Sequence, residues 1–166
     1  MKLYIKFISK IAQDVYKHGS ALSYATPGSS GFDLRAIDIL DTLYGSHTFN
    51  LSTSYFTLKP GARCLVRCGF STKLSSEYEI QVRPRSGLAL KNGITVVNTP
   101  GTIDSDYRGE LGVILLNTSA SNFEINLGDR IAQAVVCPVV KADFQFVETL
   151  DETDRSSGGF GSSGSN

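Results

Sequence analysis

The chain has 166 residues, the length of one domain that buries a sizeable core without disulfides. Its 16 Lys and Arg balance 16 Asp and Glu, so the formal net charge is +0 and no basic surplus neutralises a nucleic-acid backbone. This balance argues against nucleic acid as a partner. The first residues, MKLYIKFISK, have lysines scattered through them and predict neither a signal peptide nor a membrane span. We expect a soluble, cytoplasmic protein.

The residues of nucleophilic and metal chemistry are few. Cys64, Cys68 and Cys137 include no C-x-x-C pair and each lies among apolar residues, a pattern typical of reduced core thiols in a cytosolic protein. The two histidines, His18 and His47, have no second plausible ligand or base nearby. Zinc chemistry and a Ser-His-Asp triad are therefore disfavoured, and carboxylate chemistry with oriented backbone groups remains.

Apolar residues alternate with polar ones along most of the chain, beginning with Leu3, Ile5 and Phe7. A period of two is typical of a half-buried β-strand. The alternation, or a short β-branched run, recurs in chain order in RCLVRCGF, YEIQVRP, GITVVN, GVILLN, NFEINL, RIAQAVVCPV and DFQFVE. We predict a strand in each segment.

Turn signals separate these strands, at Lys59-Pro60-Gly61, Asn92-Gly93, Thr99-Pro100-Gly101 and Leu127-Gly128-Asp129. Their close spacing leaves room only for a helical turn or two, around residues 87–91. The sequence therefore predicts an all-β fold: a single distorted barrel or jelly-roll-like domain over residues 1–150, with at most one short helix. Residues 38–56 have no clean period, and we interpret them as a longer excursion or a hairpin.

Four glycine-punctuated stretches carry the groups that chemistry needs. ATPGSSGFDLRA, residues 25–36, leads small residues into Asp33, and by itself is also an ordinary turn before a strand. PRSGLA, residues 84–89, puts a guanidinium, a hydroxyl and a free N–H on one corner that suits a phosphate oxygen, although Arg-Ser-Gly also makes a surface turn.

The third stretch is VNTPGTIDSDYRGEL, residues 97–111. Its Asp104 and Asp106 suggest a calcium loop, but the third oxygen ligand and the glycine of the EF-hand spacing are missing, which disfavours calcium. The fourth is GDRIAQ, residues 128–133, in which Gln133 taken alone is expected to face solvent.

Together and in this order, these stretches and the Gly-rich end of the chain resemble the five motifs of the all-β, homotrimeric dUTPase family. The matches are ATPGSSGFDLRA, PRSGLA, GTIDSDYRGE, GDRIAQ and RSSGGFGSSG, and the resemblance spans residues 22–164. It implies hydrolysis of dUTP to dUMP and pyrophosphate with Mg²⁺, which keeps uracil out of DNA, in a homotrimer with shared active sites.

The resemblance also implies roles for single residues on the phosphate side. Asp104 would orient and deprotonate the water that attacks the α-phosphorus. Because an aspartate with a pKa near ~3.9 is a weak base, geometry and charge neutralisation must do most of the work. Phosphate contacts would come from Arg85, Ser86, Gly87 and Gln133. The triphosphate would carry Mg²⁺, with no direct protein ligand expected and Asp33 as a partner through water.

Residues 98–112 match the family's hairpin that pairs with uracil. The resemblance implies main-chain pairing around Thr102 and Ile103, a side-chain contact from Asn98, and a Tyr107 ring under the deoxyribose that leaves no space for a 2′-hydroxyl. Such a pocket would reject thymine by lack of room and cytosine by leaving buried polar groups unpaired. Gly112 departs from the family, which often has a longer side chain there; this puts the stiffness of the strand in doubt.

Residues 151–166 are expected to form a flexible lid over the active site. The resemblance implies that Phe160 stacks on uracil while Arg155, Ser162 and Ser163 contact the phosphates. Composition alone does not separate such a lid from an idle linker. Two further alternatives stay open at this point: an enzyme resembling dCTP deaminase, and a non-catalytic dUTP-sensing protein on the same fold.

Overall fold

The computed structural model describes residues 1–18, 22–41, 47–50 and 55–158. Within these ranges the chain forms thirteen strands and two short helices. The elements are β1 (Tyr4–Phe7), α1 (Lys10–His18), β2 (Gly31–Arg35), β3 (Asp38–Asp41), β4 (His47–Asn50), β5 (Phe56–Leu58), β6 (Arg63–Arg67), β7 (Phe70–Lys73), β8 (Tyr78–Arg83), α2 (Ser86–Asn92), β9 (Ile94–Val96), β10 (Gly101–Ile103), β11 (Gly112–Asn117), β12 (Phe123–Ile125) and β13 (Arg130–Pro138).

Two sheets enclose the core. The strand orders are β10-β8-β13-β2 and β4-β3-β6-β11-β9, and two further pairs, β1-β7 and β12-β5, complete the fold. All pairs are antiparallel. Side chains from both sheets, among them Leu34, Ile39, Ile80 and Leu115, meet in one cluster and are fully buried. The predicted all-β fold with a single core is confirmed.

The strand β11 shows why a period of two predicted strands correctly. Its inward positions, Val113, Leu115 and Asn117, are buried, whereas the residues between them are half-buried. The buried amide of Asn117 is satisfied, since its Nδ2 donates to Leu58 O at 2.9 Å and to Ser121 O at 2.8 Å. A buried polar group with such partners avoids the cost of desolvation and closes the following turn.

The helix α1 was not predicted, so the expectation of at most one short helix is wrong. Ser9 begins it, because its Oγ accepts a hydrogen bond from Ala12 N at 3.1 Å. Ala12 and Tyr16 face the core, and the Tyr16 hydroxyl accepts from Arg35 N at 3.0 Å. The second helix, α2, lies where residues 87–91 predicted a helical turn, and it ends at Gly93, whose φ is +65°.

The excursion at residues 38–56 contains a hairpin. Asp38 pairs with Asn50 at one end of β3 and β4, and β3 also pairs with β6, which joins the hairpin to the five-stranded sheet. The interpretation as a hairpin is therefore confirmed. The residues 42–46 that connect its strands lie outside the described part of the chain.

Two other predictions need correction. The segment DFQFVE, residues 143–148, forms no strand, because its alternation finds no partner among the described residues; Phe144 and Phe146 are exposed. Cys64 and Cys68 lie in the core as predicted, but Cys137 is only half-buried, with its Sγ 3.6 Å from Arg83 Nη2. No helix in the described ranges is long and apolar enough to cross a membrane.

Candidate active site

The central strand β13 brings three of the motifs together. Gln133 lies opposite Asp33 of β2 on one side and opposite Arg83 of β8 on the other. Its Nε2 donates to Pro84 O at 2.9 Å, at the point where the chain leaves β8 for α2. The stretches at residues 25–36, 84–89 and 128–133 therefore lie side by side.

A network of charges joins these three stretches. The Asp33 carboxylate lies 3.1 Å from Arg85 Nε and 3.3 Å from Arg130 Nη1, and Arg85 Nη1 donates to Arg130 O at 3.1 Å. Two guanidinium groups against one carboxylate leave a local excess of positive charge. Because guanidinium groups bind phosphate oxygens in a fixed fork geometry, this cluster suits a polyphosphate. Sequence reasoning missed Arg130, although it lies inside GDRIAQ beside the turn that starts β13.

The backbone after Arg85 adds donors to this cluster. Arg85 is extended, with φ −91° and ψ 125°, and α2 begins at Ser86. Amide groups in the first turn of a helix have no intrahelical acceptor, so those of Ser86 and Gly87 remain available. Nothing lies within 4 Å of the position a Cβ would take at Gly87, so a ligand can approach the backbone there.

The third motif forms a separate pocket of about 290 Å³. Five predicted residues line it together: Asn98, Thr102, Ile103, Asp104 and Tyr107. The rest of the wall consists of Leu65, Glu110, Gly112 and Ile114. Within the described residues, the pocket wall contains none of the phosphate-motif residues Arg85, Ser86, Gly87 and Gln133. A single chain thus presents this pocket and the guanidinium cluster around Asp33 as two separate candidate sites.

The loop that carries Asp104 is tied down from within. Tyr107 N donates to Asp104 O at 3.2 Å, which closes a turn. Arg108 Nη1 donates to Ser105 O at 2.8 Å and to Tyr107 O at 2.9 Å. These bonds fix the loop's backbone while the Asp104 side chain stays exposed at the pocket.

Glu110 anchors the end of the same loop. Its Oε2 lies 2.7 Å from Arg67 Nη2, and its Oε1 accepts from Gly69 N at 2.8 Å. The neighbouring Cys68 is fully buried, and this burial, followed by the charge of Glu110, raises the pKa of its thiol. Sequence reasoning missed Arg67, Arg108 and Glu110 as supports, because their partners are distant in sequence or are backbone carbonyls.

Comparison with known proteins decides the family. A sequence profile of the dUTPase family matches residues 44–164. A deoxyuridine 5′-triphosphate nucleotidohydrolase of Roseobacter denitrificans is 52% identical over 142 residues, covering 86% of this chain and 85% of the relative. One of Treponema denticola is 50% identical over 149 residues, covering 89% and 94%. The chain belongs to the dUTPase family.

Solved dUTPases share the fold. A point mutant of the dUTPase of phage 80alpha has a TM-score of 0.74 at 20% identity, covering 97% of this chain and 98% of that one. A point mutant of the dUTPase of Staphylococcus aureus phage phi11, described with a structural Mg(II) ion, has a TM-score of 0.70 at 17% identity, covering 92% and 100%.

Two further dUTPase-motif positions can be placed. Gly112 pairs with Arg67 along a regular β11, so main-chain pairing is intact, and an added Cβ would lie 2.7 Å from Leu65 Cδ1. In the fifth motif, Arg155 is exposed and its Nε donates to Gly158 O at 2.9 Å. Phe160, Ser162 and Ser163 lie outside the described residues, so their predicted roles stay predictions.

Proposed function

We propose that this protein hydrolyses dUTP to dUMP and pyrophosphate and thereby limits uracil in DNA. The observation that carries the proposal is the pocket in which Asn98, Thr102, Ile103, Asp104 and Tyr107 meet, in a chain about half identical to nucleotidohydrolases of dUTP. An enzyme of nucleotide pools with free core thiols is expected to work in the cytoplasm.

The nucleoside binds in this pocket. Main-chain groups of Thr102 and Ile103, with the amide of Asn98, pair with uracil, and the Tyr107 ring lies under the sugar. A cytosine would cover these donors and acceptors and leave them unpaired, which costs about 1–3 kcal/mol for each such group. This penalty is the basis of base selectivity.

The phosphates bind at the cluster around Arg85. Its guanidinium, the Ser86 hydroxyl, the Gly87 amide and the Gln133 side chain hold the triphosphate, and Arg130 adds charge. Asp104 orients a water molecule towards the α-phosphorus and takes its proton. Because a carboxylate is in general a weak base at neutral pH, positioning and charge neutralisation supply most of the rate.

The residues present fit a magnesium ion that arrives with the substrate. Among the described residues no three His, Cys, Asp or Glu side chains are grouped as a metal site, and the Asp33 carboxylate already pairs with two guanidinium groups. Mg²⁺ keeps several waters and commonly binds through substrate phosphates and one or two carboxylates. Asp33 would contact it through water. When bound, the ion neutralises charge that develops on the phosphates.

A homotrimer with shared active sites completes the two candidate sites. The nucleoside pocket and the phosphate cluster have no wall residue in common within the described chain, so a second subunit can supply the missing half. Residues 139–150 support assembly, since they form no regular structure and expose large apolar side chains. These side chains are Val140, Phe144, Phe146, Val147 and Leu150. An exposed apolar run of this kind marks an interaction surface.

Residues 151–166 form a lid over the bound nucleotide in this proposal. Phe160 stacks on uracil, while Arg155, Ser162 and Ser163 bind phosphate oxygens. The glycines let backbone amides approach the phosphates closely, and the stacking and charged hydrogen bonds offset the entropy lost on closing.

Pyrophosphate release from dUTP, dTTP, dCTP and UTP tests the proposal. We expect release from dUTP with strong preference over the other three. Ammonia released from dCTP would identify a deaminase instead, and tight dUTP binding without pyrophosphate would identify a sensing protein.

A further inference from the structure

The ring of Tyr107 rests on a position that has no side chain. A Cβ placed on Gly109 would meet three atoms first, and all three belong to that tyrosine: Oη, Cζ and, at 2.9 Å, Cε2. Real Cβ atoms do not approach other atoms so closely. The empty side of Gly109 is therefore the surface against which the Tyr107 ring packs.

The backbone does not require a glycine at this position. The glycines with positive φ are Gly61, Gly69, Gly93 and Gly128, and Gly109 is not among them in the described chain. An alanine there is consequently not strained by its backbone conformation. Its methyl group would instead collide with the tyrosine ring, which is 45% exposed.

The hydroxyl end of the ring is held through Glu110. The Tyr107 hydroxyl donates to Glu110 O at 3.3 Å. The Glu110 carboxylate is in turn fixed by Arg67 at 2.7 Å and by the amide of Gly69 at 2.8 Å, in the turn between β6 and β7. That turn is tightly packed, since a Cβ on Gly69 would lie 2.8 Å from Ile37 Cγ1. The position of the Tyr107 ring is therefore tied to the core of the protein through Glu110.

We propose that Gly109 is a specificity-determining residue, which acts by positioning Tyr107 against the sugar of the nucleotide. This inference rests on the proposed dUTP hydrolysis and on Tyr107 lying under the deoxyribose. A ribose is larger than a 2′-deoxyribose by only one hydroxyl group, so a small shift of the ring is enough to change which sugar fits. A ring that the methyl group displaces no longer covers the place of the 2′-hydroxyl, so a ribose is admitted more readily and the selectivity for dUTP falls.

The test is the ratio of kcat/KM for dUTP to kcat/KM for UTP in Gly109→Ala. We expect this ratio to fall at least about tenfold. Tyr107→Phe adds no bulk but loses the bond to Glu110 O, so its ratio should fall about threefold. This second variant carries the test if Gly109→Ala does not fold, which its melting curve reports. The control is Glu124→Ala, an exposed residue of β12 outside the five motifs, for which the ratio should stay at the wild-type value.

The outcomes separate the two proposals. A wild-type ratio in folded Gly109→Ala, or an equal loss for dUTP and UTP in both variants, would overturn the inference while leaving dUTP hydrolysis intact. Failure of the wild-type protein to release pyrophosphate from dUTP would overturn the proposed function, and this inference with it.

Discussion

The Asp33 carboxylate lies 3.1 Å from Nε of Arg85, which joins a strand residue of the first motif to the arginine of the second. The two side chains are 30% and 28% exposed, so solvent only partly screens the pair. Because Asp33 also pairs with Arg130 at 3.3 Å, one carboxylate orients two guanidinium groups. The phosphate cluster is therefore pre-arranged before any nucleotide binds.

Asp33→Asn keeps the shape of this side chain and removes its charge. We expect kcat/KM for dUTP to fall about 10- to 100-fold, because the guanidinium groups lose the partner that orients them. Activity should be measured over a series of Mg²⁺ concentrations. If Asp33 also contacts the ion through water, the Mg²⁺ concentration for half-maximal activity rises as well. Unchanged kcat/KM at every Mg²⁺ concentration would contradict both roles.

The buried thiol of Cys68 makes stability depend on pH. Burial, and then the charge of Glu110, raise the pKa of this thiol in the folded protein. The unfolded chain releases the proton near its ordinary pKa of about 8.5, whereas the folded chain retains it, so the stabilising effect is present below that pH and is lost above it. Between pH 7.5 and pH 9.5, we expect the free energy of unfolding to fall by about 1 kcal/mol through this group alone.

Urea unfolding of the wild type and of Cys68→Ala measures this contribution. Cys68→Ala should show a smaller loss of stability over the pH range than the wild type. The window ends below the ordinary pKa of tyrosine, about 10, because burial also raises the pKa of Tyr16 and would add to the loss. Parallel curves for wild type and Cys68→Ala would show that Cys68 is not responsible.

Removal of the Gly-rich end separates folding from catalysis. A chain truncated after Leu150 should keep its melting temperature and oligomeric state, since residues 151–158 are almost wholly exposed. Its kcat/KM for dUTP should fall at least about tenfold, because water enters the site and the phosphate contacts are lost. Phe160→Ala keeps the full length and tests the ring alone. Normal turnover of dUTP by the truncated chain would show that residues 151–166 are a linker with no part in catalysis.

Strands were predicted correctly where a segment of alternating apolar and polar residues has a partner strand to pair with. In β11 every second residue is buried, as the pattern requires. Residues 143–148 alternate in the same way and form no strand, because periodicity describes the faces of a segment and does not say what pairs with it. The helix α1 escaped prediction since its core-facing stripe is small, with only Ala12 and Tyr16 fully buried.

The motifs of the candidate site could be predicted from the sequence, whereas the ion pairs that hold them in place could not. Asn98, Thr102, Ile103, Asp104 and Tyr107 line one pocket, as the resemblance of this stretch to the family's third motif implied. The bonds of Asp33 to Arg130 and of Glu110 to Arg67 join residues far apart in the chain, and no local pattern encodes such pairs. They follow only from the strand registers that bring the motifs together.

In the proposed mechanism Asp104 activates the attacking water, and its neighbour Asp106 offers a matched control. Both are exposed aspartates of one loop, but only Asp104 lines the pocket. Asp104→Asn removes the proton acceptor and keeps the shape, so nucleotide binding should persist while turnover falls about 1000-fold. Asp106→Asn should stay within about twofold of the wild type.

Pyrophosphate release from dUTP by Asp104→Asn, measured beside Asp106→Asn and the wild type, tests this account most directly. Loss of turnover in Asp104→Asn alone, with dUTP still bound, is the predicted result. A near-normal rate in Asp104→Asn would contradict the assignment of water activation to this carboxylate.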